Sequence, residues 1–233
     1  MFTRSARYYD IIYGQEDYAG SVARVRALIA AYAMRPVETL LDVACGTGRH
    51  LALLCEYYIV EGLDLDPTLI AVARGRLPGV PLHQADMIDF ELGRTFDIVT
   101  CLGSAIGAVR TLDGLRSAMV CMARHLAAGG VLIVEPWFAP DEFVPGRPGA
   151  RFVDEPDLKL ARINHSAVEG RLSILDLHYL IGTPAGVEYF SERIELGLFT
   201  FEEYREAFED AGLRVLQGGV RGQGPFVAVK HTS

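Results

Sequence analysis

Leu40-Leu41-Asp42-Val43-Ala44-Cys45-Gly46-Thr47-Gly48-Arg49-His50 is the stretch that decides the fold. Thr39-Leu40-Leu41-Asp42-Val43 is short, apolar and bounded by a turn, the pattern of a parallel strand covered on both faces. Ala44, Gly46 and Gly48 then let backbone and ligand come close where a larger side chain would intrude. Helical spacing resumes at Leu51, Leu53 and Leu54. A turn of this kind, at the carboxyl end of a strand, is where open α/β sheets bind nucleotides. Asp42 narrows the ligand. A pyrophosphate at a helix N-terminus wants backbone N–H groups and no carboxylate nearby, whereas a carboxylate suits a cation.

This run is not G-x-G-x-x-G. It resembles motif I of the class I S-adenosylmethionine (SAM) methyltransferases, D-x-A/G-C-G-T-G, and the cation it suits is then the amino-acid end of SAM. An ordinary tight strand–helix turn without a ligand is the competing reading.

Bulk composition narrows the class. A chain of 233 residues is ample for one domain, or one domain with an insertion. No apolar run is long enough to span a bilayer, so no membrane partner is expected. Met1-Phe2-Thr3-Arg4-Ser5-Ala6-Arg7 lacks the apolar core of a signal peptide, and a cytoplasmic location is the expectation. The net charge of −8 without a basic run argues against nucleic acid, though not against a small anionic substrate. Cys45, Cys55, Cys101 and Cys121 form no C-x-x-C pair; they read as small buried hydrophobes, and no metal site is expected.

Outward from the turn, the chain alternates. Tyr9-Asp10-Ile11-Ile12-Tyr13 has one or two turns of helical pattern. Tyr18 to Met34 reads as a helix with Val22, Val25, Leu28, Ile29 and Tyr32 on one stripe, stopped by Pro36. After a helix running to about Tyr57, the strand Ile59 to Asp64 ends in an acid. Asp64 lies where a carboxylate at the end of the neighbouring strand accepts both ribose hydroxyls. Asp66, directly before Pro67, fits the helix cap better. Pro81 to Asp86 is a third strand, with Asp86 suited to the adenine amino group and Met87 to the ring. Thr95 to Cys101 is a fourth. Its exit, Leu102-Gly103-Ser104-Ala105-Ile106-Gly107-Ala108, should line the reaction centre. Leu112 to Leu126 reads as a helix ended by Ala127-Ala128-Gly129-Gly130, and Val131 to Phe138 as the fifth strand and its exit. Five strand–helix alternations give a doubly wound, Rossmann-like parallel α/β sheet.

The pattern then changes. A proline- and glycine-rich stretch from Ala139 to Gly149 precedes three β-like runs, Leu158 to Val168, Leu172 to Ile181 and Val187 to Leu196, at hairpin spacing. We therefore expect a cofactor-binding domain over 1–138 and 197–233, and an antiparallel β insertion over 139–196 that closes the substrate site. Thr200 and Glu203 make a capping box at the start of a helix, and Leu213 to Leu216 with Pro225 to Lys230 make a closing hairpin.

Nearly end to end, the chain resembles the N,N-dimethyltransferases of nucleotide-linked amino deoxysugars in secondary metabolism, the desosamine and mycaminose type. The resemblance rests on Tyr9-Asp10 with Asp17-Tyr18, the Asp42 to Gly48 motif, Gly62-Leu63-Asp64-Leu65, Asp86-Met87, Val99-Thr100-Cys101 and Ile106-Gly107. It continues through Val134-Glu135-Pro136-Trp137, Asn164-His165-Ser166, Leu198-Phe199-Thr200 and Gly219-Val220-Arg221-Gly222-Gln223-Gly224. It implies a seven-stranded SAM methyltransferase sheet, with SAM contacted by Tyr9, Tyr18, Ala44, Asp64, Asp86 and Met87. Asp42, Gly46, Gly48, Leu65 and Leu102 complete the expected cofactor site. Asp64 stands where close relatives carry Glu, which keeps the ribose acceptor. Ala108 stands where those enzymes carry a histidine after Ile-Gly, and Phe2 is the aromatic nearest to where they have an early tyrosine.

Methyl transfer from a sulfonium needs the nucleophile held close and in line, worth roughly 7–11 kcal/mol. An amine must also shed a proton, to a side chain or to water. Glu135 and His165 are the expected catalytic groups; Ser104, Trp137, His165 and Arg221 are expected at the acceptor. Arg147, Arg151, Arg162 and Arg221 are the arginines available to a diphosphate. His50 and His125 read as packing or helix-end residues. The expected activity is SAM-dependent N-methylation of a small amine carried on a nucleoside diphosphate, by a protein that leaves room for a homodimer. The alternatives are a SAM-dependent O- or N-methyltransferase of another metabolite, a SAM-binding protein without transfer, and a NAD(P)-binding oxidoreductase, which Asp42 disfavours.

Overall fold

In a computed structural model, which describes residues 4–218 and 224–231, the chain forms two sheets. A 3-10 turn over Ser5–Tyr8 leads into a single helical turn, α1 (Tyr9–Ile12), and then α2 (Tyr18–Tyr32). The alternating part follows: β1 (Thr39–Val43), α3 (Arg49–Leu54), β2 (Ile59–Asp64), α4 (Pro67–Arg76), β3 (Leu82–Gln84), β4 (Phe96–Cys101), α5 (Leu112–Arg124) and β5 (Leu126–Val134). Four long strands come next: β6 (Gly149–Glu155), β7 (Leu158–Glu169), β8 (Leu172–Thr183) and β9 (Gly186–Gly197). The chain ends with α6 (Phe201–Asp210), β10 (Leu213–Gln217) and β11 (Phe226–Lys230).

The seven-stranded sheet has the order β10-β11-β5-β4-β1-β2-β3. Strands β1 to β5 are parallel; β11 runs antiparallel to β5, and β10 to β11. Strand order reverses between β1 and β4, which opens a crevice at their carboxyl ends. The apolar strands are explained by burial on both faces. Leu41, Val43, Val99, Leu132 and Val134 pack toward α5 and α6, while Leu40, Ile98, Val131 and Ile133 pack toward α2, α3 and α4. Asp66 caps α4 by accepting from Thr68 and Leu69 N–H, and the Thr200–Glu203 capping box opens α6. No helix among the described residues is long and apolar enough to cross a membrane.

Several boundaries differ from the sequence reading. Ala127-Ala128-Gly129-Gly130 does not end α5; it is the first half of β5. Phe96 pairs with Leu126 but Ile98 with Val131, so these residues form a bulge, with Gly129 at a φ of +74°. A Cβ on Gly130 would stand 2.7 Å from the Asp97 carbonyl oxygen. The antiparallel sheet has four strands rather than three: Gly149–Glu155, at the end of the glycine- and proline-rich stretch, pairs with β7. α3 stops at Leu54, three residues before Tyr57. Cys55 is exposed, unlike the other three cysteines.

The inner face of the antiparallel sheet is set by register. Arg162, Tyr179 and Phe190 lie in one cross-strand row, and Leu160 and Ile181 in the next. Ile12, Tyr8, Ile11 and Tyr13 pack on this face with Leu160, Leu177, Tyr179, Phe190 and Ile194. The leading segment therefore shares a core with the insertion, although it lies in 1–138, the span grouped in sequence with the cofactor domain. The outer face carries exposed Phe152, Ile163, Leu180 and Tyr189.

Candidate cofactor and acceptor site

The glycine turn leaves β1 in left-handed backbone. Ala44 has φ +59°, Gly46 +58° and Gly48 +75°. An alanine in this region costs about 1–2 kcal/mol, and such strain persists where the surroundings impose it. Here Cys45 N–H donates to the Leu63 carbonyl (2.9 Å), pinning the turn to the end of β2. A Cβ placed on Gly46 would meet nothing within 4 Å, so the turn faces open space on the crevice side. Ser104, φ +59°, makes the same left-handed step after β4.

Asp64, 7% exposed, ends β2. Its Oδ2 accepts from Gly46 N–H (2.8 Å) and its Oδ1 from Asp66 N–H (2.9 Å). Each carboxylate oxygen can accept a second hydrogen bond, which fits a ribose diol. Burial raises the Asp64 pKa, and the backbone donors of Asp66 and Gly46 oppose that rise. Asp42, 1% exposed, accepts from the Thr100 hydroxyl (2.7 Å). Burial pushes its carboxyl up to about 7, the Thr100 bond pulls it back, and Asp64 and Glu135 add to the rise. A cationic ammonium brought to this buried acid would favour its charged form. These residues fit SAM: an open cradle, an acid for the ribose and an acid for the amino end.

Tyr9 is half-buried beside this cluster. Its phenol is pushed up first by burial and then by Tyr13, Tyr18, Asp64 and Asp10. Tyr18 meets the His50 ring edge-on at 5.0 Å. His50 lies 3.2 Å from the Ser21 hydroxyl, and burial pushes it down to about 4, so it is neutral. Asp86 follows β3, half-buried, with Oδ1 accepting from Ile88 N–H (3.1 Å); Met87 and Leu102 are buried, and Leu65 is exposed.

On the acceptor side, three pieces meet at Gly107. A Cβ there would lie 3.0 Å from Trp137 Cβ and 3.3 Å from Leu196 Cβ. Trp137 Nε1–H donates to the Ser173 hydroxyl (2.8 Å), tying the exit of β5 to the antiparallel sheet. Glu135, at that exit, accepts from Gly103 N–H (2.6 Å), so it also fixes the loop after β4. His165 is not brought to this place. It is exposed on the outer face of β7, opposite Asp176, because side chains alternate along a strand and Arg162 and Ser166 take the inner face. Arg221 and Phe2 lie outside the described residues. His125 is buried, with Nδ1–H donating to the Cys121 carbonyl (2.8 Å) and Nε2 accepting from Leu92 N–H (2.9 Å), a structural role far from the crevice.

Two features were not singled out from the sequence. Asp10 accepts from the Thr47 hydroxyl (2.6 Å), from Arg49 Nε–H (3.1 Å) and from Arg76. Its signal was the Tyr9-Asp10 pair. Arg162, 8% exposed, donates to the Tyr13 hydroxyl (2.6 Å), and its Nε has no hydrogen-bond partner among the described residues. It was one of four arginines considered for a diphosphate, with nothing in the sequence to separate them.

Comparison with known proteins agrees with this geometry. Residues 40–130 match the methyltransferase domain family. The chain is 40% identical, over 97% of its length and 92% of the relative's, to the dTDP-4-amino-2,3,4,6-tetradeoxy-D-glucose N,N-dimethyltransferase of Saccharopolyspora spinosa. It is 40% identical, over 96% of its length and 97% of the relative's, to the dTDP-3-amino-3,4,6-trideoxy-alpha-D-glucopyranose N,N-dimethyltransferase of Streptomyces venezuelae. Among solved structures, the SAM-bound amino pentose methyltransferase CalS10 of Micromonospora echinaspora superposes with a TM-score of 0.84 at 39% identity, covering 99% of this chain and 98% of that one. With a SAM cradle at the switch point and this likeness along the whole chain, the protein belongs to the SAM-dependent N,N-dimethyltransferases of nucleotide-linked amino sugars.

Proposed function

We propose that this enzyme methylates the amino group of a deoxysugar carried on a nucleoside diphosphate. The observation that carries the reading is Arg162. A guanidinium this buried, on the inner sheet face and without a carboxylate partner among the described residues, is costly unless an anion joins it. A diphosphate supplies that anion, and the planar fork suits it. The relatives' acceptors, a 4-amino and a 3-amino sugar nucleotide, belong to this class.

When bound, SAM supplies an electrophilic methyl on a cationic sulfur, already a good leaving group. The chain's residues do the rest. Asp64 takes the ribose, Asp42 the ammonium, and Tyr9, Tyr18, Asp86 and Met87 surround the nucleoside. Trp137 and the left-handed loop at Ser104 would hold the sugar and orient its nitrogen for transfer. Glu135, already anchoring Gly103, is the acid we place nearest the amine. With alanine at 108, the proton leaves through Glu135 or solvent, and the neutral fraction of amine carries the reaction.

Mass spectrometry of reactions with SAM and a panel of dTDP-linked 3- and 4-amino deoxysugars tests this. A gain of one or two methyl units is expected on at least one. SAM binding by thermal shift with no mass gain on any member would overturn the acceptor class and leave the cofactor site standing.

A further inference from the structure

We propose that Asp10 is a positioning residue for the reaction. It fastens the leading segment across the cofactor turn, so that SAM occupancy orders the antiparallel sheet. The inference rests on the cofactor assignment and not on the identity of the acceptor.

One carboxylate gathers three donors from three elements. Thr47 is the centre of the glycine turn, Arg49 opens α3, and Arg76 closes α4. Arg49 also donates to the Asp10 carbonyl (3.1 Å), and Arg76 to the Thr47 carbonyl. The turn that receives SAM is thus gripped through Thr47 from both its hydroxyl and its backbone. Burial opposes the charge on Asp10, but the bonds from Thr47, Arg76 and Arg49 outweigh it and hold its pKa below the usual carboxylate range.

The 3-10 turn just before α1, and α1 itself, reach the other sheet. Ser5 N–H (3.0 Å) and Arg4 N–H (2.6 Å) donate to Glu192 on β9, and the Ser5 hydroxyl joins them. The Tyr8 hydroxyl donates to Glu188 (3.0 Å). Ile12 is buried in the inner-face core, and the Tyr13 hydroxyl accepts from Arg162 (2.6 Å). The Tyr13 ring meets Tyr9 at 4.6 Å between centroids, tilted by 40°, and lies under the guanidinium groups of Arg151 and Arg162 at 5.3 and 5.4 Å. Tyr9, Asp10 and Tyr13 are joined by one helical turn, with Tyr13 N–H donating to the Tyr9 carbonyl (3.0 Å). Anything that fixes Thr47 therefore fixes Tyr13, and Tyr13 fixes Arg162. Chains of packed side chains and hydrogen bonds of this kind are what carry coupling between sites.

A merely structural role would look different. The Asp10 side chain is 27% exposed, and partly exposed ion pairs contribute little to stability. Its loss should therefore leave the fold intact and break the link.

Hydrogen exchange with mass readout on the full chain, with and without S-adenosylhomocysteine, separates the two. In the wild type, the ligand should slow exchange at least fivefold in residues 4–13 and in β7 to β9, as well as in 40–50. In Asp10→Asn, slowing should persist in 40–50 and fall below twofold in 4–13 and the sheet. Asp10→Glu should restore part of it. Should Asp10→Asn fail to fold, Thr47→Val, which removes one donor from the other side, should show the same selective loss. Sheet protection by the ligand that survives in Asp10→Asn or in Thr47→Val, or a wild-type sheet indifferent to the ligand, would overturn the inference. A wrong acceptor class would leave these results readable, since no acceptor is present.

Discussion

At the scale of single residues, two buried acids share the cradle with different tasks. Asp64 holds the turn through Gly46, and its remaining lone pairs are the ones we propose for a ribose. Replacing it with alanine should remove two charge-assisted hydrogen bonds, each worth about 1.5–3 kcal/mol. Calorimetry should show SAM binding weakened by roughly tenfold or more; an unchanged dissociation constant would contradict the ribose assignment. Burial favours the protonated form of Asp42. Its ordinary value is 3.8 and burial pushes it up to about 7. Between those values the folded protein keeps a proton that the unfolded chain has released, so this group lowers stability as pH rises through the window. In Asp42→Asn that slope is gone. The melting temperature of the wild type relative to the variant should decline from about pH 4 to about pH 7 and then level. A difference that stays constant with pH would show that Asp42 is ionised throughout. Both acids were legible in the sequence, because each sits at the end of a strand beside a glycine turn. The upward shift of Asp42 was not, since it comes first from burial between packed layers and then from Asp64 and Glu135 on other strands.

At the scale of elements, local chemistry and tertiary demand can be told apart. α6 is locally specified: Thr200 N–H donates to Glu203 (2.8 Å), and Glu203 N–H donates back to the Thr200 hydroxyl (3.2 Å). Thr200→Ala should cost about 1 kcal/mol. Urea unfolding should show a lower midpoint with an unchanged slope, and melting should drop by about 2–4 °C. β5 is the opposite case. Ala127-Ala128-Gly129-Gly130 carries a helix-ending signal, yet it lies in the sheet because Gly130 alone can pass the Asp97 carbonyl. β6 was hidden for a related reason. It begins at Gly149, where a Cβ would stand 2.7 Å from Asn164 Oδ1, and its apolar alternation is weak because both its faces are partly open.

At the scale of the whole molecule, the acceptor site we propose lies where two sheets and the leading segment converge. Trp137 reaches Ser173, Glu135 reaches Gly103, and Arg162 reaches Tyr13. Arg162→Met tests this convergence. A buried guanidinium with no salt bridge among the described residues is exchanged for an apolar side chain, so thermal stability should hold or rise. The KM for the sugar nucleotide should rise roughly tenfold or more, with KM for SAM little changed. A variant with an unaltered acceptor KM would remove Arg162 from the diphosphate site. The sequence by itself determined the doubly wound sheet, the cofactor turn and its acids, since these follow from runs of apolar residues, glycines and a strand-end carboxylate close together in the chain. Only the tertiary structure decided that Arg162 is buried on the inner sheet face while Arg151, opposite it, pairs with Glu16, that His165 faces out, and that Asp10 clasps the turn. Those facts follow from β register and from contacts between segments far apart in the chain, which no local pattern encodes.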